Sequence, residues 1–306
     1  MSNKLAHEVF YNARVKYKVL SDGTRVPFEI MYCDRFIFNP DGARLSEFSR
    51  NVERLEEYRE AAEELFLGAL PRGGAYVPAK STEKEKIERS LRRARGKLID
   101  LIIANDFDLF CTLTLNNEKI DRNDYEKIIK KLNVFLDNRV RRFGLRYVGV
   151  PERHKDGAIH FHFLCNSDGM KLVDSGTVSC SGHKKPIKIS TADRLGIPHE
   201  ERHTVYNIAD WSLGFTTAIR TYGSPAAVAN YVGKYLTKQL GDKLPKKVGG
   251  RWYYSGGDLA RPAFSYERVS FNDIDSFTYD FECAGGHFKV LKIGDMNEDN
   301  HEKFEG

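Results

Sequence analysis

The sequence predicts an α+β fold, a five-stranded antiparallel sheet with flanking helices, preceded by an N-terminal extension. Two observations predict it. From about residue 107 the segments run strand, helix, strand, strand, insertion, strand, helix. The strand segments also alternate apolar and polar residues, which fits a sheet packed on one face and open on the other.

The extension, residues 1–104, begins with strand-like residues at 9–40, where Tyr17 to Leu20 and Val26 to Met31 flank Ser21-Asp22-Gly23 as in a hairpin. Residues 44–70 carry apolar side chains at spacings of three and four and predict a helix that ends at Pro71-Arg72-Gly73-Gly74. Residues 81–104 predict a second helix, capped by Ser81 or Thr82 with Glu85 nearby. Its middle is basic through Arg89, Arg92, Arg93, Arg95 and Lys97. That basic run reads either as a solvated face or as a phosphate-backbone contact.

The central segment, 105–265, holds predicted strands at 107–115, 146–152 and 158–165, a helix at 121–143, a strand within 210–219 and a helix at 225–240. Residues 166–205 are polar and Gly-rich and read as an insertion. Residues 266–306 read as short strands and an acidic tail.

Composition narrows the function classes. The chain has 41% hydrophobic residues, enough for a core, and a formal net charge of +5, which suits a polyanionic partner. Five widely spaced cysteines, an odd number, fit a reducing interior and not a disulfide framework. The first residues lack an apolar signal core, and no apolar run is long enough to span a bilayer, so the expected location is the cytoplasm of a bacterial host cell, with no membrane partner.

Ala158-Ile159-His160-Phe161-His162-Phe163-Leu164 alternates cleanly, which puts Ile159, Phe161 and Phe163 on one face and His160 and His162 on the other. Two imidazoles on one face can hold a cation, although they can also simply decorate a polar surface. A third ligand, Glu152, precedes the Asp156-Gly157 turn. A two-residue turn would send its carboxylate to the apolar face. A three-residue loop would pair Glu152 with His160, and the metal hypothesis requires that register.

Ser224-Pro225 marks a helix start and Gly241 a stop. Between them Val228, Ala229, Val232 and Leu236 line one side, and Tyr231, Lys234, Tyr235 and Lys238 another. The second side reads either as amphipathic tyrosines with snorkelling lysines or as a nucleophilic face. Gly233 either removes bulk between the phenols or marks a packing contact. A cation that polarises phosphate and a phenol that attacks it are the two components of phosphodiester transesterification.

Three segments resemble the motifs of HUH endonucleases, the class of rolling-circle replication initiators: Phe110-Cys111-Thr112-Leu113-Thr114-Leu115, His160-Phe161-His162, and Tyr231-Val232-Gly233-Lys234-Tyr235. The paired tyrosines with an intervening lysine resemble the replication proteins of icosahedral single-stranded DNA phages and related plasmids and prophages. Trp211 and Gly214 belong to the same likeness, which spans roughly residues 107–265. The resemblance implies a ferredoxin/RRM-like sheet. It also implies that His160, His162 and Glu152 hold Mg²⁺ or Mn²⁺, that Tyr231 makes the first nick, that Tyr235 serves the second cleavage or joining step, and that Lys234 positions phosphate or phenol. The substrate it implies is single-stranded or supercoiled origin DNA, with a host polymerase extending the freed 3′-OH. Candidate DNA contacts are Thr112, Thr114, Lys238, Arg141 and Arg142.

Residues 1–100 lie outside the likeness, and no GxxxxGK[ST] segment supplies a helicase motor, so unwinding would fall to a host helicase. Other readings stay open: a non-catalytic nucleic-acid-binding protein, a relaxase or transposase of the same superfamily, or a metallo-nuclease that uses water. Cys180 with His183, His199 or His203 is an incomplete zinc pattern. Arg139, Arg141, Arg142 and Arg146 form a further basic cluster, which could follow a strand backbone.

Overall fold

A computed structural model describes residues 11–35, 38, 82–153, 158–238, 247–283 and 286–293. The predicted helix at 44–70, the loop 154–157, Gly241 and the acidic tail lie outside the described residues. The chain divides into two compact units, one formed by residues 1–81 with 262–294 and the other by residues 82–261 with 295–306.

The first unit is a five-stranded antiparallel sheet in the order β11-β1-β2-β13-β12. The expected hairpin is present: β1 (Ala13–Val19) pairs with β2 (Arg25–Cys33). Gly23, at φ 85°, supplies the left-handed turn position between them. β11 (Ala263–Glu267), β12 (Tyr279–Cys283) and β13 (Gly286–Lys292) complete the sheet. Buried Glu29 on β2 accepts salt bridges from Lys16 and Lys292.

The second unit holds the candidate site. Its helix α1 (Glu83–Ala104) begins with a capping box, in which the Thr82 hydroxyl accepts from the Glu85 amide and the Glu85 carboxylate accepts from the Thr82 amide. β3 (Leu109–Thr114) leads to α2 (Tyr125–Phe143), capped by Asp124 and closed by left-handed Gly144 at φ 63°. β4 (Tyr147–Arg153) and β5 (Ile159–Cys165) follow. Then come β6 (Leu172–Cys180), β7 (Ile187–Lys188), the short α3 (Ile189–Arg194), β8 (Arg202–Ile208), β9 (Thr216–Arg220), α4 (Pro225–Lys238) and β10 (Tyr254–Gly256).

These strands form one antiparallel sheet in the order β10-β4-β5-β3-β9-β8-β6-β7. The α+β antiparallel class is as expected, but the sheet has eight strands, not five. The segment read as an insertion is the reason: β6, β7 and β8 extend the sheet. Its polarity misleads because β6 is mostly exposed, and its alternation breaks at an irregularity between Asp174 and Thr177, where Gly176 has φ 69°.

The sheet is covered on both faces. On one, Ile128, Leu132 and Leu136 of α2 pack with Leu109, Leu113, Ile159, Phe161 and Phe163. On the other, α1 and α4 pack on each other and against β4, above fully buried Val148, Val150 and Leu164. The expectation of an open second face is corrected here. The apolar stripes of α1 and α4 (Leu98, Ile102, Ala229, Val232, Leu236) need burial, and this face supplies it. The expected boundary at 104 moves for the same reason, since α1 belongs with the central sheet.

Candidate active site

Strand pairing brings the polar residues together. Glu152 lies opposite His160 in the β4–β5 register, as the metal reading required. In the β3–β5 register Thr114 lies opposite His160 and Thr112 opposite His162. His162 is 6% exposed and Glu152 9%, so both are carried by the sheet interior and need partners there. His162 has them: Nδ1 lies 3.1 Å from the Thr112 hydroxyl and Nε2 lies 2.7 Å from Glu152 Oε2. If Nδ1 donates to Thr112, Nε2 and the carboxylate are two acceptors facing each other, and a proton or cation must bridge them.

The tyrosine helix lies over this pair. Ser224 caps it, its hydroxyl accepting from the Ala227 amide at 3.2 Å, and Pro225 occupies the first turn. The spacing of four places Tyr231 and Tyr235 on one face. The Tyr235 ring stacks on His162 with centroids 3.9 Å apart and planes 17° apart. Its hydroxyl donates to the Tyr231 oxygen at 2.9 Å. Tyr231 also meets Phe110 edge-on at 5.5 Å, and Phe110 lies parallel to His162 at 5.9 Å. Burial, then the neighbouring Tyr231 and the hydrogen bond to it, and Glu152 hold the Tyr235 phenol well above the usual tyrosine range.

Other sequence candidates fall elsewhere. The Lys234 ammonium lies 5.7 Å from the Tyr231 ring centroid. The side chain of Lys238 lies outside the described residues. Gly233 faces α1, where a Cβ would come within 3.4 Å of Arg95 Nε, so it is a packing contact and not a gap between phenols. The Thr114 carbonyl accepts from the Trp211 indole at 3.1 Å. At Gly214 a Cβ would collide with that same carbonyl at 2.0 Å, so Trp211 and Gly214 fix the end of β3. Arg141 and Arg142 are exposed on α2, across the sheet from the phenols, which separates them from the site. Arg139 of that cluster is buried and paired with Asp210.

The zinc pattern is not assembled. Cys180 is buried with Val178 and Ala192, and the His203 ring stacks on Tyr222 at 4.1 Å. The described cysteines Cys33, Cys111, Cys165 and Cys180 are all buried thiols. Among the described residues no group of three His, Cys, Asp or Glu side chains stands ready to hold a metal ion, and no helix is long and apolar enough to cross a membrane. Glu152 and His162 nevertheless fit a metal as a donor pair. Cis ligands about 2.1 Å from an octahedral ion lie ~3 Å apart, close to their 2.7 Å separation. Thr112 on Nδ1 is the kind of outer contact that fixes a ligating imidazole.

Sequence reasoning missed a cavity of about 670 Å³ that opens beside the phenols. Phe110, Thr112, Thr217 and Ile219 form its floor, and Tyr231, Tyr235 and Val228 one wall. Ser179, Ser181, Lys184 and Lys185 of the β6–β7 segment form the other, with Arg220 and Tyr222 also on the lining. Its one sequence signal was Lys184-Lys185 inside the supposed insertion.

No curated protein and no solved structure matches the chain. Residues 108–240, which run from β3 through α4 and carry every element of this site, match the family model of the replication-associated protein ORF2, and this similarity to rolling-circle initiators supports a replication initiator.

Proposed function

We propose that this protein nicks and rejoins single-stranded origin DNA through a covalent tyrosine intermediate, in the manner of a two-tyrosine HUH initiator. The observation that carries the reading is the stack of Tyr235 on His162, with the Tyr231 oxygen one hydrogen bond further on. Phenol, imidazole and carboxylate thus form one continuous set of contacts.

Tyr231 is the nucleophile of the first step. The Tyr235 proton is directed to the Tyr231 oxygen, so Tyr231 is the phenol whose own proton points elsewhere. Its oxygen forms a bond to phosphorus as the bond from phosphorus to the 3′ oxygen breaks. The phenolic proton is lost, and the leaving oxygen takes up a proton to become a free 3′-OH. The 5′-phosphate remains esterified to Tyr231. Joining is the reverse, with a 3′-OH attacking the phosphotyrosine, and Tyr235 serves the second transfer. His160, His162 and Glu152 would hold Mg²⁺ or Mn²⁺, which supplies charge neutralisation at the attacked phosphate. Thr112 orients His162, and Lys234 lies beside the Tyr231 ring to attract phosphate. The 670 Å³ cavity is the path of the strand, since Lys184, Lys185 and Arg220 suit phosphates and Tyr222 suits a base. A host polymerase would extend the 3′-OH, and a host helicase would open the duplex.

A supercoiled plasmid carrying the origin, incubated with Mn²⁺, should become nicked with protein attached, and mass spectrometry of the adduct should place DNA on Tyr231. Phe at both 231 and 235 should leave binding and remove nicking. Free 5′ ends without protein would indicate a water-using nuclease, and binding without nicking by the wild type would indicate a binding protein.

A further inference from the structure

We propose that the outer face of α1 docks the phosphate backbone of duplex DNA. Lys86, Arg89, Arg93 and Lys97 are all exposed and recur at steps of three and four, so they form one stripe along the helix. Eleven residues at about 1.5 Å each make the stripe ~16 Å long, matching roughly five phosphates of one strand at ~3.4 Å. The stripe lines a separate cavity of about 480 Å³ whose other wall is Trp252 and Tyr253.

The aromatic wall favours duplex over single strand. Trp252 is buried, and its indole donates to Ser90 at 3.0 Å, so the ring anchors its loop to α1. Tyr253 is half-buried. Single-strand sites offer rings for bases to stack on, whereas this one offers cations. At the start of the stripe the Glu83 carboxylate lies 4.0 Å from Lys86, an exposed pair that phosphate can displace. The inner side of α1 packs against α4, so a duplex held here lies against the helix that backs the tyrosines.

The partner's identity as DNA rests on the nicking reading, while the docking itself is tested separately. Fluorescence anisotropy would measure binding of a ~20-base-pair duplex and of a single strand of equal length across a salt series, without divalent cation. Arg89→Gln with Arg93→Gln should weaken duplex binding at least tenfold near ~0.1 M salt and reduce the log–log salt slope by about 2. Arg89→Lys with Arg93→Lys should retain both, and an unchanged Tm would show each variant folded. Cleavage of a short single-stranded origin oligonucleotide should stay at the wild-type rate. An unchanged duplex slope overturns the docking proposal and leaves nicking intact. Equal losses for single strand and duplex overturn its duplex specificity, and tighter binding of an RNA duplex overturns its DNA assignment. If the duplex effect is present and the wild type does not nick, docking stands and the nicking reading falls.

Discussion

The His162 imidazole makes two hydrogen bonds and one aromatic stack within the sheet, so each of its neighbours should have a separable effect. Thr112→Val removes the oxygen 3.1 Å from Nδ1 while keeping the shape. Metal affinity is expected to fall about 10- to 100-fold, the usual cost of losing an outer-shell contact, and an Mn²⁺ titration of nicking would read it. Tyr231→Phe should abolish the first nick. Tyr235→Phe should leave nicking and impair joining, which a gel separating nicked, circular and adduct species would resolve. Much of this constellation was legible in the sequence. Strict alternation on β5 put the two histidines on one face, and the need to bring Glu152 beside them required the register that the structure has. The stack of Tyr235 on His162 was not legible, because it joins residues 73 positions apart through packing that no local pattern encodes. Arg139 is a parallel case: it reads as part of a basic surface cluster, and only the distant Asp210 reveals it as a buried ion pair.

Among the elements, α4 is placed as much by its missing side chain as by those it has. Gly233 lets the tyrosine helix approach α1, with Arg95 Nε at 3.4 Å from a Cβ there. Gly233→Ala should be close to neutral, since a helix-propensity gain of up to ~1 kcal/mol opposes a tight contact with a flexible side chain. Gly233→Leu should push the helices apart, costing about 1–3 kcal/mol and displacing the phenols. Thermal melts with a nicking assay would show both losses together. Helix starts were legible, because capping is local chemistry: Thr82 with Glu85, and Ser224 with Pro225, sit where the sequence places them. Which face of the sheet each helix covers was not, since α1 precedes the sheet in sequence and its apolar stripe carries no address. The β6–β7–β8 segment escaped because exposed edge strands lack the apolar alternation that marks a strand.

For the whole molecule, the two units should respond differently to pH. In the first unit burial, with repulsion from Lys16 and Arg14, lowers Lys292 to about 8 from its usual 10.5. The unfolded chain therefore binds more protons than the folded one between those values, and stability should rise with pH across that window. The gain should be about 2–3 kcal/mol, accumulating at ~1.4 kcal/mol for each pH step of one across the window, and absent in Lys292→Met, as denaturant melts at pH 7 and 10 would show. The Tyr231–Tyr235 contact has a consequence for stoichiometry. With both nucleophiles on one turn of one helix, joined by a single shared hydrogen, one polypeptide owns the complete pair. A chain working as proposed can pass a DNA end from one phenol to its neighbour without recruiting a second copy, so circle release should follow first-order kinetics in protein, unaccelerated by crowding.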